Sequence, residues 1–235
     1  MMPSIRAGDR IMTNKLIFGA RLYKDLRGLD NPRIDIYRLK GFRGIAYNDV
    51  IVFNHAFETK FDISKVYVKR CIGMPGDTIS IIEGIYHNSS LKDNLLKIDY
   101  GLLANEKFVN TQLMKNTDIS WTMINFGPLC IPRKGDTILL DKRTATLYAR
   151  YMVYESGEEL EFEDGQILLG GRQVISYTFE ENYYFMAGEN FADSQDSRYF
   201  GAVPETFIIG VVPRVLFAKD PYSGKINWKR IWKKL

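Results

Sequence analysis

The stretch from Lys65 to Ile82 constrains the fold more than any other part of this sequence. It begins with KVYVKRCI, a run rich in β-branched and aromatic residues, and it ends with TISII, a second run of the same kind. GMPGD separates the two runs, and glycine and proline in this arrangement mark a tight turn. Runs this short and this apolar are typical of strands buried on both faces, as in a sandwich or a small closed barrel.

Similar strand signals occur near both ends of the chain, whereas the middle has helical spacing. We expect strands at residues 9–13, 49–54, 183–187 and 207–217, and helices at about 89–118 and at 144–154. The segment KGDTI at 134–138 also echoes PGDTI at 75–79. We interpret that echo as one turn-to-strand solution used twice.

Together these signals predict a mainly β protein with an inserted subdomain. The expected core is an antiparallel β-sandwich or barrel-like structure formed by residues 1–83 and 181–220. Residues 84–180 form an inserted α+β subdomain, and residues 221–235 form a tail that packs on or near the core. A chain of 235 residues is long enough to form one domain of this kind.

Charge and metal-binding residue types exclude several classes of function. The 32 basic and 28 acidic residues leave a net charge of only +4, which is too small and too scattered for a nucleic-acid partner. Cys71 and Cys130 cannot form a disulfide framework, and His55 and His87 show no metal-ligand spacing. We therefore expect no metal and no cofactor. Because no histidine lies in a plausible partner segment, we interpret Cys71 as a buried, inert thiol.

Two features bear on contact with a membrane. No apolar run reaches the roughly 18 residues of a spanning helix, so the chain as printed is expected to be soluble. At the C-terminus, lysine and arginine alternate with tryptophan and isoleucine over residues 228–234. This pattern favours weak contact with an anionic membrane surface.

Lys69 is the residue with the clearest potential for chemistry. It lies inside the apolar strand pattern of residues 65–72, where a positive charge is costly. Burial lowers the pKa of a lysine, so such a side chain can serve as a general base near neutral pH. The structural alternative is a side chain that extends from a strand edge to water. Arg70 points to the opposite face, so at least one of the two faces away from the core.

A second group of polar residues lies between Gly188 and Gly201. The segment is rich in serine and aspartate, and by itself it could be a solvated loop. Asp196 and Arg198 lie two residues apart, so in extended backbone they point to one side and can form a charge-assisted pair. The hydroxyl of Ser194 could hold a neutral amine in place.

Taken in order, Met1–Ile5, Tyr67–Asp77 and Gly188–Gly201 resemble the characteristic boxes of bacterial type I signal peptidases. The family's first box reads Ser-Met-x-Pro-(Thr/Ser)-(Leu/Ile), and Met1–Ile5 supplies all of it except the serine. Asp49–Phe53 resembles the family's Gly-Asp-Ile-Val-Val-Phe strand, with Asn48 in place of the glycine. The inserted segment around residues 125–132 also looks like signal peptidases of Bacteroidetes-type bacteria.

This resemblance implies a serine endopeptidase of the signal-peptidase fold that removes N-terminal signal peptides from exported preproteins. Lys69 would be the general base, and Ser194 the hydroxyl that orients its amine. Asp196 and Arg198 would form the supporting ion pair. The nucleophilic serine would sit immediately before Met1, and its backbone N–H would contribute to the oxyanion hole. The chain as printed is therefore expected to be inactive.

The resemblance also implies how substrates bind and where the enzyme works. Signal peptides carry small residues at the first and third positions before the scissile bond, which requires shallow apolar pockets. The strand backbone near residues 66–68 would pair with the extended substrate. We expect a monomer on the periplasmic side of the bacterial inner membrane, anchored through a segment that precedes Met1. By position, the pockets would be lined by Met1, Ile5, Ile11, Val52, Tyr67 and Val68.

The last box departs from the family pattern at several positions. Glu189 replaces aspartate, Phe191 replaces the common arginine, and Ala192–Asp193 replace Asp-Asn. We interpret these changes as drift at the surface of the loop.

Two other functions stay open. One is a non-catalytic paralogue that binds exported or membrane proteins, and the other is a self-cleaving repressor protease with the same dyad. The presence of both Lys69 and Ser194 favours the enzyme, because a binding module gains nothing from a desolvated lysine. The repressor would need a DNA-binding domain and a scissile segment, and neither is visible in the sequence.

Overall fold

The computed structural model describes residues 1–24, 36–55, 65–91, 119–190 and 194–235. It is mainly β, and its strands pair antiparallel, as the sequence predicts. The helices are α1 (Lys142–Ser156) and α2 (Ser197–Phe200). In chain order the strands are β1 (Asp9–Asn14), β2 (Arg21–Tyr23), β3 (Ile36–Arg38), β4 (Val50–Asn54), β5 (Val66–Gly73), β6 (Thr78–Ile82), β7 (Ile85–Asn88), β8 (Phe126–Cys130), β9 (Thr137–Leu139), β10 (Leu160–Glu163), β11 (Gln166–Leu169), β12 (Arg172–Gln173), β13 (Ser176–Thr178), β14 (Tyr183–Ala187), β15 (Val203–Pro204) and β16 (Ile208–Ala218).

A six-stranded sheet in the order β1-β16-β4-β5-β14-β15 carries the functional residues. Every residue of β4 and of β14 is buried, which confirms the expectation of strands covered on both faces. In the β4–β5 ladder, Ile51 lies opposite Lys69 and Val52 lies opposite Val68. The sequence neighbours Lys69 and Arg70 therefore point to opposite faces of this sheet.

The two GDTI segments form the same turn, as the sequence echo predicts. Gly76 and Gly135 have positive φ angles of 91° and 88°, a conformation that glycine adopts without steric cost. The carboxylates of Asp77 and Asp136 each accept a hydrogen bond from the backbone N–H three residues earlier, at 2.7 and 3.2 Å. A strand, β6 or β9, follows each turn.

The helix predicted at 144–154 is confirmed as α1, which is two residues longer at each end. The Asp141 side chain accepts the Thr144 N–H at 2.6 Å and caps the first turn. Gly157, with φ of 70°, ends the helix in the left-handed conformation. Most of the helix expected at 89–118 lies outside the described residues. Within the described ranges, no helix has the length and apolarity to span a bilayer.

The expected boundary between core and insert falls inside a β-hairpin. Ile82 of β6 pairs with Ile85 of β7, and β6 also pairs with β8, which lies within the predicted insert. The two sides share apolar contacts too, since Ile72 and Ile79 pack in one cluster with Met152 of α1. The division at residue 83 stays a prediction, and strand pairing and apolar packing cross it.

The C-terminal tail lies along β16. Strand β16 pairs with β4 only from Ile208 to Val211. The tail pairs with a later part of β16, around Val215. The Val215 N–H donates to the Lys233 carbonyl at 2.9 Å, and the Trp232 N–H donates to the Val215 carbonyl at 2.9 Å. The tail thus extends the sheet where β4 stops.

Candidate active site

Strand β5 places Lys69 in a buried position beside a serine hydroxyl. The Lys69 side chain is on the face that also carries Ile51, and only 8% of the residue is exposed. Its Nζ donates to Ser194 Oγ at 2.8 Å, across 125 residues of sequence. The ring of Tyr67, two residues earlier on the same face, lies 5.9 Å from Nζ. The structure therefore brings together the two residues for which the resemblance implies a base and its orienting hydroxyl.

The backbone at Gly188 decides where Ser194 can lie. Gly188 follows β14, and Ser194 packs directly against it. A Cβ atom added at position 188 would lie 1.9 Å from Ser194 Oγ and 2.6 Å from its Cβ. Glycine is therefore required at this position for sterics, because any side chain would displace the hydroxyl from Lys69.

Asp196 and Arg198 form a fully buried ion pair that supports this loop. Arg198 Nε and Nη2 donate to the two carboxylate oxygens at 2.8 Å each, and both side chains have no exposed surface. The same carboxylate accepts the Gly188 N–H at 2.9 Å and caps the short helix α2. Because the two oxygens of Asp196 accept from four N–H donors at Gly188 and Arg198, the pair fixes both ends of the segment that presents Ser194.

A residue from the predicted insert, Met123, also contacts this ion pair. Met123, just before β8, accepts a hydrogen bond at its sulfur from the Tyr199 hydroxyl at 2.9 Å. Its sulfur also lies 3.8 Å from Nη1 of Arg198. Sequence reasoning missed Met123, and no local pattern marks it, because a lone methionine in an irregular segment is indistinguishable from ordinary core filling.

Of the six residues expected to line the substrate pockets, five lie together. One of them, Val52, belongs to a small buried cluster with Val50 and Val212. Four more pack against that cluster, namely Met1, Ile5, Ile11 and Val68. Tyr67 lies on the opposite face of β5, because side chains alternate along a strand. Its ring packs near Phe53, His55 and Phe200, at centroid distances of 6.1, 5.0 and 6.1 Å.

The interpretation of Glu189 as drift at the loop surface is wrong. Its side chain is only 8% exposed and forms an ion pair with Arg70. Glu189 Oε2 also accepts the Ser4 N–H at 2.9 Å. Burial alone raises the pKa of Glu189, but the hydrogen bonds from Arg70 and Ser4 outweigh burial and hold that pKa below its usual value. Glutamate keeps the negative charge of the family's aspartate, and this feature of the sequence could have indicated that the carboxylate has a partner. Phe191, Ala192 and Asp193 lie outside the described residues.

Cys71 and His87 are the other candidates that the sequence raised. Cys71 is fully buried, and burial raises the pKa of its thiol, in agreement with an inert role. His87 lies on β7, in a sheet separate from the one that carries Lys69. Among the described residues, no three histidine, cysteine or carboxylate side chains are grouped as a metal site would require.

The sequence of this chain is similar to those of known signal peptidases. The family model "Signal peptidase, peptidase S26" matches residues 1–217. Signal peptidase I of Aquifex aeolicus is 27% identical over 232 residues, which is 96% of this chain and 73% of that protein. Signal peptidase I of Buchnera aphidicola (subspecies Baizongia pistaciae) is 25% identical, over 90% of this chain and 65% of that protein.

The structure also matches the crystal structure of a signal peptidase I from Enterococcus faecalis. The match covers 72% of this chain and 97% of the chain in that crystal structure. Its sequence identity is 19% and its TM-score is 0.32, so the two structures are only weakly alike. The matches by sequence do not favour a non-catalytic paralogue. Since the family model spans nearly the whole chain, the chain belongs to the signal peptidases of family S26, serine endopeptidases that remove signal peptides from preproteins.

Proposed function

We propose that Lys69 is the general base of a Ser/Lys endopeptidase and that Ser194, Asp196 and Arg198 support it. The carrying observation is the 2.8 Å contact between Lys69 Nζ and Ser194 Oγ inside a buried site. Burial favours the neutral form of an amine, and an N–H donated to a fixed hydroxyl oxygen orients that amine. A buried amine held in a fixed direction is the arrangement that a lysine general base requires.

The nucleophile in this proposal is a serine at the position immediately before Met1. The serine Oγ attacks the scissile carbonyl while its proton passes to Lys69 Nζ, and the protonated amine then gives that proton to the leaving amino group. The acyl-enzyme is hydrolysed by a water molecule that Lys69 activates in the same way. Two contacts hold the first box against β5, the strand that carries Lys69. Met1 packs in the cluster that contains Val68, and Ser4 lies against Arg70 and Glu189.

The substrate in this proposal is an exported preprotein that binds along β5 in an extended conformation. The apolar cluster of Met1, Ile5, Ile11, Val52 and Val68 supports small pockets beside that strand. Tyr67 contributes on the other face, next to Lys69. We place the enzyme as a monomer on the periplasmic side of the inner membrane. Trp228 and Trp232, which are 75% and 55% exposed among lysines, support contact with the membrane surface.

The test is cleavage of a signal-peptide substrate by the protein that carries the upstream serine. Replacement of Lys69 with alanine is expected to lower kcat by about 10²- to 10⁴-fold and leave the fold intact, because a general base contributes about that much. Lys40→Ala is the matched control, since Lys40 is exposed and distant in sequence from the site.

Two outcomes would contradict the proposal. If more than about a tenth of the activity survived Lys69→Ala, Lys69 could not be the base. That result would correspond to a rise of less than roughly 1.4 kcal/mol in the activation barrier. The chain beginning at Met1 is expected to give no cleavage. Turnover by that chain that depends on Lys69 would refute the position of the nucleophile.

A further inference from the structure

Ser4, in the first box, has each of its polar groups held by a different charged residue. Its N–H donates to Glu189 Oε2 at 2.9 Å, and its Oγ accepts from Arg70 Nη2 at 3.3 Å. Its carbonyl oxygen accepts from Arg230 Nη2 at 2.7 Å. The three partners come from the last box, from β5 and from the C-terminal tail. Charge-assisted hydrogen bonds are stronger than neutral ones, so this residue is firmly placed.

Arg230 is the partner that neither the boxes nor the family model accounts for. It lies in the short 3₁₀ turn Trp228–Arg230, beyond residue 217, where the match to the family model ends. The residue is only 9% exposed, and its guanidinium also forms an ion pair with Asp9, with Nε 3.1 Å from Oδ1. Asp9 in turn accepts the Arg6 N–H at 2.9 Å. One guanidinium thus bonds to both ends of the segment from Ser4 to Asp9.

The tail that carries Arg230 is itself fixed on the central sheet. Besides the bonds between Val215 and residues 232–233, the Leu235 N–H donates to the Pro213 carbonyl at 3.1 Å. The Asn227 N–H donates to the Ala218 carbonyl at 2.9 Å. These bonds lie on both sides of Arg230 along the chain. The guanidinium is therefore presented from a rigid support and not from a free end.

We propose that Arg230 is a positioning residue for the nucleophile: by holding the Ser4 carbonyl it fixes the first box and, with it, the residue before Met1. The link to Met1 is short, since the Ile5 N–H donates to the Met1 carbonyl at 2.9 Å. This inference rests on the proposed function, because it concerns the serine that precedes Met1. An error of about 1 Å in the placement of a reacting group can lower a rate by about 100-fold.

The experiment combines a catalytic and a structural measurement on Arg230→Ala. In the protein with the upstream serine, kcat per folded molecule is expected to fall by about 10- to 100-fold, with KM within about twofold. In hydrogen exchange, the Ile5 amide is expected to exchange faster, whereas the amides of β14 keep their protection. Lys229→Ala, at an exposed neighbour in the same turn, is the control and should change neither quantity.

Two further variants separate positioning from stability. Asp9→Asn removes the ion pair but leaves the Ser4 carbonyl with its donor. It should therefore lower the melting temperature and leave kcat near the value of the unmutated protein. Arg230→Lys keeps the charge but loses the planar fork of the guanidinium. Compared with Arg230→Ala, it should recover most of the lost stability but only part of the lost kcat. If Arg230→Ala does not fold, Arg230→Gln carries the same test with a side chain of similar length.

Three results would overturn the inference. Unchanged kcat in folded Arg230→Ala, with faster exchange at Ile5, would show that the tail only stabilises the segment. Unchanged exchange at Ile5 would show that Arg230 does not hold the segment at all. Absence of cleavage by the unmutated protein with its serine would refute the proposed function, and with it the catalytic role of Arg230. In that case the exchange data would still show whether Arg230 holds the segment.

Discussion

The two faces of β5 carry neighbouring basic residues in opposite chemical settings. On one face Lys69 contacts the neutral hydroxyl of Ser194, and on the other Arg70 forms an ion pair with Glu189. Arg70 also donates to the Asn48 carbonyl at 2.6 Å. A carboxylate stabilises a cation as a cation, whereas a hydroxyl can hydrogen-bond to a neutral amine as well. One strand therefore supplies both a group suited to proton transfer and a permanent charge that organises the first box.

This difference also explains why the residue types are not interchangeable. Lysine changes its protonation state when it is buried, whereas arginine stays charged in proteins. Lys69 is suited to the proton-transfer face and Arg70 to the structural face. The ion pair of Asp196 and Arg198 follows the same rule, because it is a permanent charge pair that organises the loop that presents Ser194.

Gly188→Ala should disrupt the Lys69 face alone, with the largest effect of the three changes considered next. The new methyl group would meet Ser194 Oγ at 1.9 Å, so the hydroxyl must move away from Lys69. We expect kcat for signal-peptide cleavage to fall by about 100-fold in the protein with the upstream serine. Gly44→Ala is the matched control, because a Cβ at position 44 meets nothing within 4 Å. Activity near the unmutated level would show that the contact between Lys69 and Ser194 is dispensable.

Glu189→Gln should weaken the Arg70 face and lower stability. The change removes the charge of a nearly buried partner, so we expect the free energy of unfolding at pH 7 to fall by about 2 kcal/mol. Glu163→Gln, at an exposed residue of β10, is the control. Urea unfolding of the chain as printed measures both. Equal stability of the two variants would mean that the ion pair contributes nothing.

A comparison of the unmutated protein with Glu189→Gln also gives a pH dependence of stability with a definite sign. The pKa of Glu189 is lowered in the folded state, so its contribution is complete above the ordinary value of about 4.3. That contribution is lost as the pH falls through the lower folded-state pKa. The stability difference between the unmutated protein and Glu189→Gln should therefore be constant near neutral pH and shrink below about pH 4. A difference that grew on acidification would contradict this assignment.

Asn48 tests the smallest effect on the Arg70 face. Its φ of 68° is left-handed, a conformation that asparagine tolerates and glycine adopts freely. Asn48→Gly should leave stability within about 0.5 kcal/mol, whereas Asn48→Ala should lower it by about 1 kcal/mol. Thermal unfolding of the two variants provides the comparison. Equal values would show that backbone strain at this turn does not limit the position of the Asn48 carbonyl beside Arg70.

Local features of the fold were predictable because neighbouring residues determine them. The strands around Lys69 and at 183–187, the helix α1 and the two GDTI turns all follow from side-chain periodicity and from glycine's freedom at positive φ. The positions of the boxes indicated Lys69, Ser194, Asp196 and Arg198 as candidates. Their catalytic roles stay proposals that the experiments above test.

Long-range contacts were not predictable in the same way. The role of Glu189 as a partner of Arg70 and the contact of Met123 with Arg198 both depend on the order and register of the strands. A local pattern contains no information on which distant segment will close a given loop.

The sequence by itself determined that Lys69 lies in an apolar strand and that the surrounding boxes occur in the order of the signal peptidases. Only the tertiary structure decided which group meets the Lys69 amine and which residues hold the first box in place. The bond from Lys69 to Ser194 spans 125 residues, and the bond from Arg230 to Ser4 spans 226. Such contacts form when the whole sheet assembles, because burial and hydrogen bonding then select among the many pairings that local propensity allows.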